Sequence, residues 1–422
     1  MQNSSDVVVV GAGIVGLSIA WRASQCGLSV TVIDPSPAEG ASRAAAGMLA
    51  ATSELTYQET DLLALNLASM RRWPGFVTDL EEATGHRLGY STSPTLVVGA
   101  DAADRATLAD LAEFQAKLGL SPSRLPISEL RQREPLIGPA ITSAWQIDAD
   151  HHVDPRRVTT ALRAALCQAG ARIVTDRVLR VICSSDRSSV RAVATAAGQT
   201  VHADRVVLAA GLGTGRISGI GDAVSFPIRA VHGEILRLRA PASMPAFLAG
   251  TVRASVHSRP VYLVPRDNGE IVIGATSRED ENEGVAAGGV YQLLRDAQVV
   301  APAVGELELT ESLARARPST PDNRPLLGTS ANLPEGLVVA AGFFRHGILL
   351  TPVASDLVAA GLCDAQLTAE PGLDPSAAEP RSRDAAIDLT PFDPGRFGHP
   401  SLETDLEPAT MPGAQHVHPS HG

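Results

Sequence analysis

The sequence predicts an α/β protein in which a Rossmann-like nucleotide-binding domain carries an inserted antiparallel sheet. Two observations carry that expectation. Val7-Val8-Val9-Val10 is a continuous β-branched run that ends directly in Gly11-Ala12-Gly13-Ile14-Val15-Gly16. That is a buried parallel strand turning into a glycine-started helix. Far downstream, β-rich runs flank Asn268-Gly269, a dipeptide that favours a tight hairpin.

The elements follow in order. A helix is expected over Ile14 to Cys26, ended by Gly27, and a second strand over Leu28 to Ile33 before Asp34-Pro35. Leu62 to Glu82 has helical periodicity with a kink at Trp73-Pro74. Thr95 to Val98 reads as a strand and Ala102 to Leu118 as a helix. Asp154-Pro155 is a capped helix start, with the helix running to Gln168. Short strands follow at 172–174, 178–183, 190–194 and 205–208. Runs at 228–239, 261–264 and 271–273 read as antiparallel sheet, 337–341 as a buried strand, and 347–362 as a helix opened by Gly347.

Length and composition bound the function. A chain of 422 residues, 44% apolar and 19% charged, has the balance of an ordinary globular protein and is long enough for two domains. The net charge of −11 makes it a poor partner for phosphate backbones, so no nucleic-acid role is expected. Lys117 is the sole lysine, so Schiff-base chemistry would rest on that residue alone. Cys26, Cys167, Cys183 and Cys363 lie far apart without a CxxC pair and read as reduced, buried small hydrophobes of a cytosolic, cytoplasmic protein. Neither a signal peptide nor a membrane span is expected, because the N-terminal apolar run covers only Val7 to Val10. From Asp364 onward ten acidic residues face three arginines, and nine of the 29 prolines gather there. Most of that stretch cannot form a core, and 398–422 is expected to be a disordered tail. The patch from Ile387 to Phe397 has apolar anchors able to pack back on the body.

Gly11, Gly13 and Gly16 fit GxGxxG: one glycine for the tight turn, one for close approach of a pyrophosphate, one for packing helix on strand. The helix N-terminus offers free N–H groups to phosphates. Asp34, at the end of the second strand, is placed to accept hydrogen bonds from a ribose. The fingerprint does not choose between NAD and FAD. The run Gly40 to Leu49 is made of small residues that let a flat ring system lie against the backbone. His151 and His152, with Asp148 and Asp150, are too crowded in sequence for a metal site and read as loop residues.

Taken together, GAGIVGLSIA, AAAGML, VVLAAG, YLVPR with the NGEIVIGAT hairpin, ARP, and GFFRHGILLTP resemble the D-amino-acid oxidase family, and within it the branch that serves thiamine thiazole synthesis. The resemblance covers about residues 6–363, then 388–397; AAAGML and FRHGILL are its specific pieces. It implies a glutathione-reductase-type FAD-binding domain (1–85, 141–226 and 318–397) and an inserted antiparallel substrate domain (86–140 and 227–317). It implies non-covalent FAD held by Gly11, Gly13, Ile14, Val15, Gly16, Asp34, Ser42, Arg43, Gly47, Met48, Leu49, Val178 and Gly211, with Phe343, Phe344, Arg345, His346, Gly347, Ile348 and Leu349 around the flavin. Arg43 stands where the family has a small hydroxyl residue. A helix opening at Gly347 would aim its positive end at the flavin.

The resemblance also assigns Arg317 to the substrate carboxylate, with Arg345 and Tyr262 nearby. By residue type alone Arg317 reads as a surface arginine before a proline, Arg345 as a loop-holding arginine and Tyr262 as sheet packing. Arg315 is expected to face away from Arg317. The implied activity is oxidation of glycine, or another small amine or D-amino acid, by O2, giving H2O2; the implied assembly is a homotetramer. Sarcosine oxidase chemistry and a non-catalytic flavoprotein are the alternatives, the first disfavoured by the position of Lys117.

Overall fold

A computed structural model describes residues 4–57, 59–221, 224–241, 244, 247–367 and 387–398. Two sheets organise it. The first has six strands in the order Leu326–Gly328, Leu337–Ala341, Arg205–Leu208, Val7–Val10, Val30–Ile33, Arg172–Val174. All its pairings are parallel except the edge pair Leu326–Gly328 with Leu337–Ala341. Every residue of Val7–Val10 and Val30–Ile33 is buried, Thr31 included, as central strands are when helices cover one face and a small sheet the other. Helix Ile14–Gln25 packs between helices Pro155–Gln168 and Thr351–Leu367.

The second sheet has eight strands in the order Glu308–Ser319, Arg229–Arg239, Glu270–Gly274, Arg259–Pro265, Val252–Val256, Thr95–Gly99, Ser143–Ile147, Ser123–Arg124. One face of its long strands buries Leu236, Leu238 and Ile273 in a core with helix Ala287–Val300. The opposite face packs Ile235, Val264, Val272 and Tyr262 against Ala46 and Met48 of the small-residue loop. That second face looks toward the nucleotide-binding layer, so the two halves meet there.

Most expected elements are present within a residue or two, and three expectations change. The helix opened by Asp154 is as expected, with the aspartate accepting from Arg156 N. Helix Thr60–Thr84 continues through Pro74. Ser143–Ile147, placed by the expected boundary at 141 in the nucleotide-binding domain, pairs instead with Thr95–Gly99 in the eight-stranded sheet. Residues 347–350 form a turn after a short 3-10 helix, Phe344–His346; the α-helix begins at Thr351, so Gly347 does not open it. The cysteines are not all reduced: Cys26 and Cys363 form a disulfide, Cys167 is exposed, and Cys183 is partly buried. Widely spaced cysteines gave no sequence signal for this pair, because the contact arises from packing two helices whose positions differ by 337 residues. The 387–397 patch does fold back. Phe392 is buried, Arg396 pairs with Asp322 at 3.0 Å, and Phe397 packs against the core of the six-stranded sheet. The expected tail, past Gly398, lies outside the described residues.

Candidate active site

The glycine turn is built as its spacing requires. Gly11 has φ 110°, and a Cβ there would overlap the backbone of Ala209 and Ala210. A Cβ on Gly16 would collide with Gly11 O. Gly13 differs, since the nearest atom to a Cβ there would be Ser42 Oγ at 3.4 Å. Internal packing therefore leaves room at Gly13 for a ligand to approach the backbone. Gly13 caps helix Ile14–Gln25 without a side chain of its own. Ile14 N donates to Ser42 Oγ at 3.0 Å. Asp34 stands at the adjacent strand end, its two oxygens accepting from Ala12 N and Ser36 N, both at 2.7 Å. Val178 is buried in one cluster with Val10 and Ile33, beneath these strand ends. Gly211, at φ 55°, starts the 3-10 turn Gly211–Arg216 after the strand Arg205–Leu208.

The small-residue loop is bolted from several sides. Arg156 Nε donates to Arg43 O at 3.0 Å, Arg266 Nη2 to Ala46 O at 2.5 Å, and Val153 N to Gly47 O at 2.9 Å. Gly47 has φ 81°, and a Cβ there would overlap Val153 O. The guanidinium of Arg43 pairs with Glu39 at 3.0 Å and Glu311 at 3.6 Å, so its charge is spent on a bridge to the second sheet. Met48–Leu49 pairs with His151–His152, which is what these histidines do structurally. His152 Nδ1 lies 3.1 Å from Thr251 Oγ1 and His151 Nδ1 2.8 Å from Tyr90 Oη. No metal-binding cluster occurs among the described residues.

The loop Phe343–Leu349 closes the other side. Phe344 has φ 48°, an unusual conformation for an aromatic residue and one that marks functional loops. Leu349 O accepts from Ser69 Oγ at 2.6 Å and Trp73 Nε1 at 2.9 Å, fixing the loop to helix Thr60–Thr84. Arg345 donates to buried Glu59 and lies 5.4 Å from the centre of the Phe344 ring. His346 is buried, with Nε2 3.7 Å from Glu59 Oε2 and Nδ1 without a hydrogen bond, and Arg345 Nε is likewise unmet.

Strand register places the remaining residues. Val231 is opposite Arg317, Ile235 opposite Gly274, Gly274 opposite Tyr262, and Tyr262 opposite Arg253. Directly opposed residues share a face, as do residues two apart. Arg317, Tyr262 and Arg253 therefore all look toward the nucleotide-binding layer. By the same rule Arg315 does too, which corrects the expectation that it faces away from Arg317. The two arginines differ in reach rather than in face. Arg315 donates to Glu39 O at 2.9 Å and Ala314 O at 2.8 Å, whereas Arg317 Nη1 donates to Thr276 O at 3.3 Å. Among the described residues no carboxylate pairs with Arg317. Arg345 and Arg253, in contrast, are neutralised by Glu59 and Glu54. Burial pushes the Tyr262 phenol up to about 12 despite the nearby Arg317, so it stays a hydrogen-bond donor.

A family model described as DAO, FAD dependent oxidoreductase, matches residues 6–360. The chain belongs to this family of FAD-dependent oxidoreductases. Among DAO relatives, a bifunctional protein ThiO/ThiG of Synechocystis sp. is 32% identical over 374 residues, which are 87% of this chain and 53% of that longer protein. A glycine oxidase of Geobacillus kaustophilus is 32% identical over 362 residues, 85% of this chain and 93% of the relative. The crystal structure of glycine oxidase from the same organism superposes with a TM-score of 0.79 at 30% identity, covering 92% of this chain and 98% of that one. The hydrogen cyanide synthase subunit HcnC of Pseudomonas aeruginosa is 25% identical over 396 residues, 85% of this chain and 92% of the relative.

The residues fit the cofactor of the DAO family. The space at Gly13 suits a pyrophosphate, the remaining lone pairs of Asp34 suit a ribose, and the unmet His346 Nδ1 and Arg345 Nε line a buried loop able to face a flavin. Sequence reading missed Glu54, Glu59, Arg253 and Thr276. The two acids lie in an irregular loop, where spacing carries no periodic signal. Arg253 was legible only as one residue of a strand whose partners were unknown.

Proposed function

We propose that this DAO-family enzyme oxidises the amine of a small amino acid, glycine foremost, to the imine, with O2 reduced to H2O2, and that it serves thiamine thiazole synthesis. The observation that carries this reading is Arg317: a half-buried guanidinium without an acid partner among the described residues, beside the Tyr262 hydroxyl, on the face that meets the nucleotide-binding layer. A guanidinium offers a carboxylate two parallel N–H bonds. The names of the ThiO and glycine oxidase relatives support the same substrate class.

Bound FAD supplies the two-electron redox chemistry that no side chain of the site provides. Arg317 and Tyr262 hold the carboxylate and so orient the α-carbon. Glu59 and Glu54 tie down Arg345 and Arg253, whereas Arg317 meets no carboxylate among the described residues and so can take the substrate's. The amine enters without its extra proton, so no dedicated base is required. The glycine turn, the small-residue loop and residues 343–349 hold the FAD non-covalently. On this reading the FAD-binding part comprises the described residues within 1–85, 148–226 and 318–397, and the substrate part those within 86–147 and 227–317.

An anaerobic panel of glycine, sarcosine, D-alanine and L-alanine tests the reading by bleaching of the flavin absorbance. Glycine is expected to bleach fastest. Bleaching by L-alanine alone, or by none of the four, sinks the proposal.

A further inference from the structure

Two glycines of the eight-stranded sheet lie under the polar tips of the carboxylate site. Gly233 and Gly274 are on adjacent strands and share the face of Ile235, which is opposite Gly274 and two residues from Gly233. They are thus diagonal neighbours, about 7–8 Å apart. A Cβ built on Gly233 would lie 2.5 Å from Arg317 Nη1, 2.7 Å from Nη2 and 2.6 Å from Thr276 O. A Cβ on Gly274 would meet only Tyr262 among its nearest atoms, with Cζ at 2.6 Å and Cε2 at 2.8 Å. Both have φ outside the left-handed region, so a left-handed φ does not explain glycine at either site. Glycine inside a strand weakens it unless something must approach the backbone closely. Here the approaching groups are the Arg317 guanidinium and the Thr276 carbonyl at Gly233, and the Tyr262 ring at Gly274.

We propose that Gly233 and Gly274 are positioning residues for substrate recognition: they form a side-chain-free shelf on which Arg317 and Tyr262 lie flat and converge on one carboxylate. This rests on the reading of Arg317 as the carboxylate ligand. The shelf also fixes the acceptor that aims Arg317. Thr276 O accepts from Arg317, while Thr276 Oγ accepts from Glu234 N at 2.8 Å and donates to the buried Glu234 carboxylate, itself held by Arg278 at 2.8 Å. The guanidinium is thereby pinned from below by the bare Cα of Gly233 and from the side by a clamped carbonyl. Added methyl groups would lift the two tips off the sheet and break the bidentate geometry, without touching the glycine turn or the flavin-side loop.

The test compares glycine with glycine ethyl ester, which keeps the amine and α-carbon but lacks the carboxylate, in FAD-loaded wild type, Gly233→Ala, Gly274→Ala and Arg317→Leu. Loss of a charge-assisted bond predicts that both alanine variants raise KM for glycine about ten- to a hundredfold. Kinetics on the ester and flavin content should stay near wild type. Equal losses on both substrates, or glycine kinetics unchanged, would overturn the shelf. If Gly233→Ala yields no flavin-loaded protein, Gly274→Ala decides alone, since its added methyl meets side-chain atoms of Tyr262. Arg317→Leu separates the two ideas. Should it hurt glycine and ester alike, the carboxylate reading falls and takes the shelf with it. Should it hurt glycine selectively while the alanine variants do not, only the shelf falls.

Discussion

Arg253 Nη1 donates to Glu54 Oε1 at 2.7 Å, and Arg253 stands directly opposite Tyr262 across the strand pair. Burial opposes ionisation of Glu54, but Arg253, Arg345 and His346 outweigh it and hold the carboxyl below its ordinary range. The pair thus hides a second cation beside the proposed substrate site.

Glu54→Gln exposes that cation. An amine with a second carboxylate, D-aspartate, should then gain on glycine by about tenfold in relative kcat/KM, the worth of roughly one favourable charge contact. Steady-state kinetics on both substrates measure the ratio. An unchanged ratio would mean that Arg253 does not reach the substrate.

Arg317→Leu should lower kcat/KM for glycine by about thirtyfold to several thousandfold, the usual cost of truncating one partner of a desolvated pair. Arg317→Lys should recover only part of it, because an ammonium lacks the planar fork. Arg315→Leu removes a tie to Glu39 O and should act mainly on thermal stability. If Arg315→Leu proved the more damaging to glycine kinetics, the carboxylate would belong to Arg315.

The rate with glycine should climb with pH toward the pKa of the amine. The Tyr262 phenol, pushed up to about 12 by burial, is no base at neutral pH, and the carboxylates of Glu54 and Glu59 are engaged with arginines. A kcat/KM profile that stays flat from neutral to alkaline pH would reveal a base the geometry does not show.

His152 makes stability depend on pH. Burial, with Arg266 adding to it, holds this histidine down from 6.5 to about 4. The unfolded chain takes up the proton near pH 6.5, the folded site only near 4, so stability is complete above that window and drains as the pH falls through it. The loss is at most about 3 kcal/mol. Thermal midpoints of His152→Asn should fall less steeply over the same window than those of wild type; parallel slopes would remove His152 from the account.

The disulfide predicts a thiol count. In denaturant without reductant, two thiols per chain should react, those of Cys167 and Cys183, and four after reduction. The Cys26→Ser, Cys363→Ser double variant should lose about 2–4 kcal/mol of stability with its flavin chemistry intact. Four reactive thiols at the outset would show the bond to be absent.

These predictions mark what was legible beforehand. The glycine turn was readable because three glycines, a strand and a helix must occur at fixed offsets for a pyrophosphate to fit, and Gly11 and Gly16 pack as that spacing demands. The role proposed for Arg317 was readable only through its family neighbours, since Arg-Ala-Arg-Pro alone does not say which arginine would take a substrate carboxylate. Glu54 and Glu59 were not readable at all: what gives them meaning is contact with Arg253 and Arg345, residues 199 and 286 positions away. The same holds for Cys26 and Cys363. The helix at Gly347 failed for a different reason, in that a turn and a helix share their periodicity and only the hydrogen bonds separate them.

The order of the six-stranded sheet has a consequence for how the protein is made. Val7–Val10 finds its neighbour Arg205–Leu208 only after nearly two hundred residues, and that strand in turn waits for Leu337–Ala341. At translation speeds of about 5–20 residues per second, the first valine strand leaves the ribosome roughly ten to forty seconds before the sheet around it can close. During that time a fully apolar edge is open to misplaced pairing. The two proposed walls of the cofactor cradle, residues 11–16 and 343–349, lie far apart in the chain, so the cradle can form only once the later segment has been made.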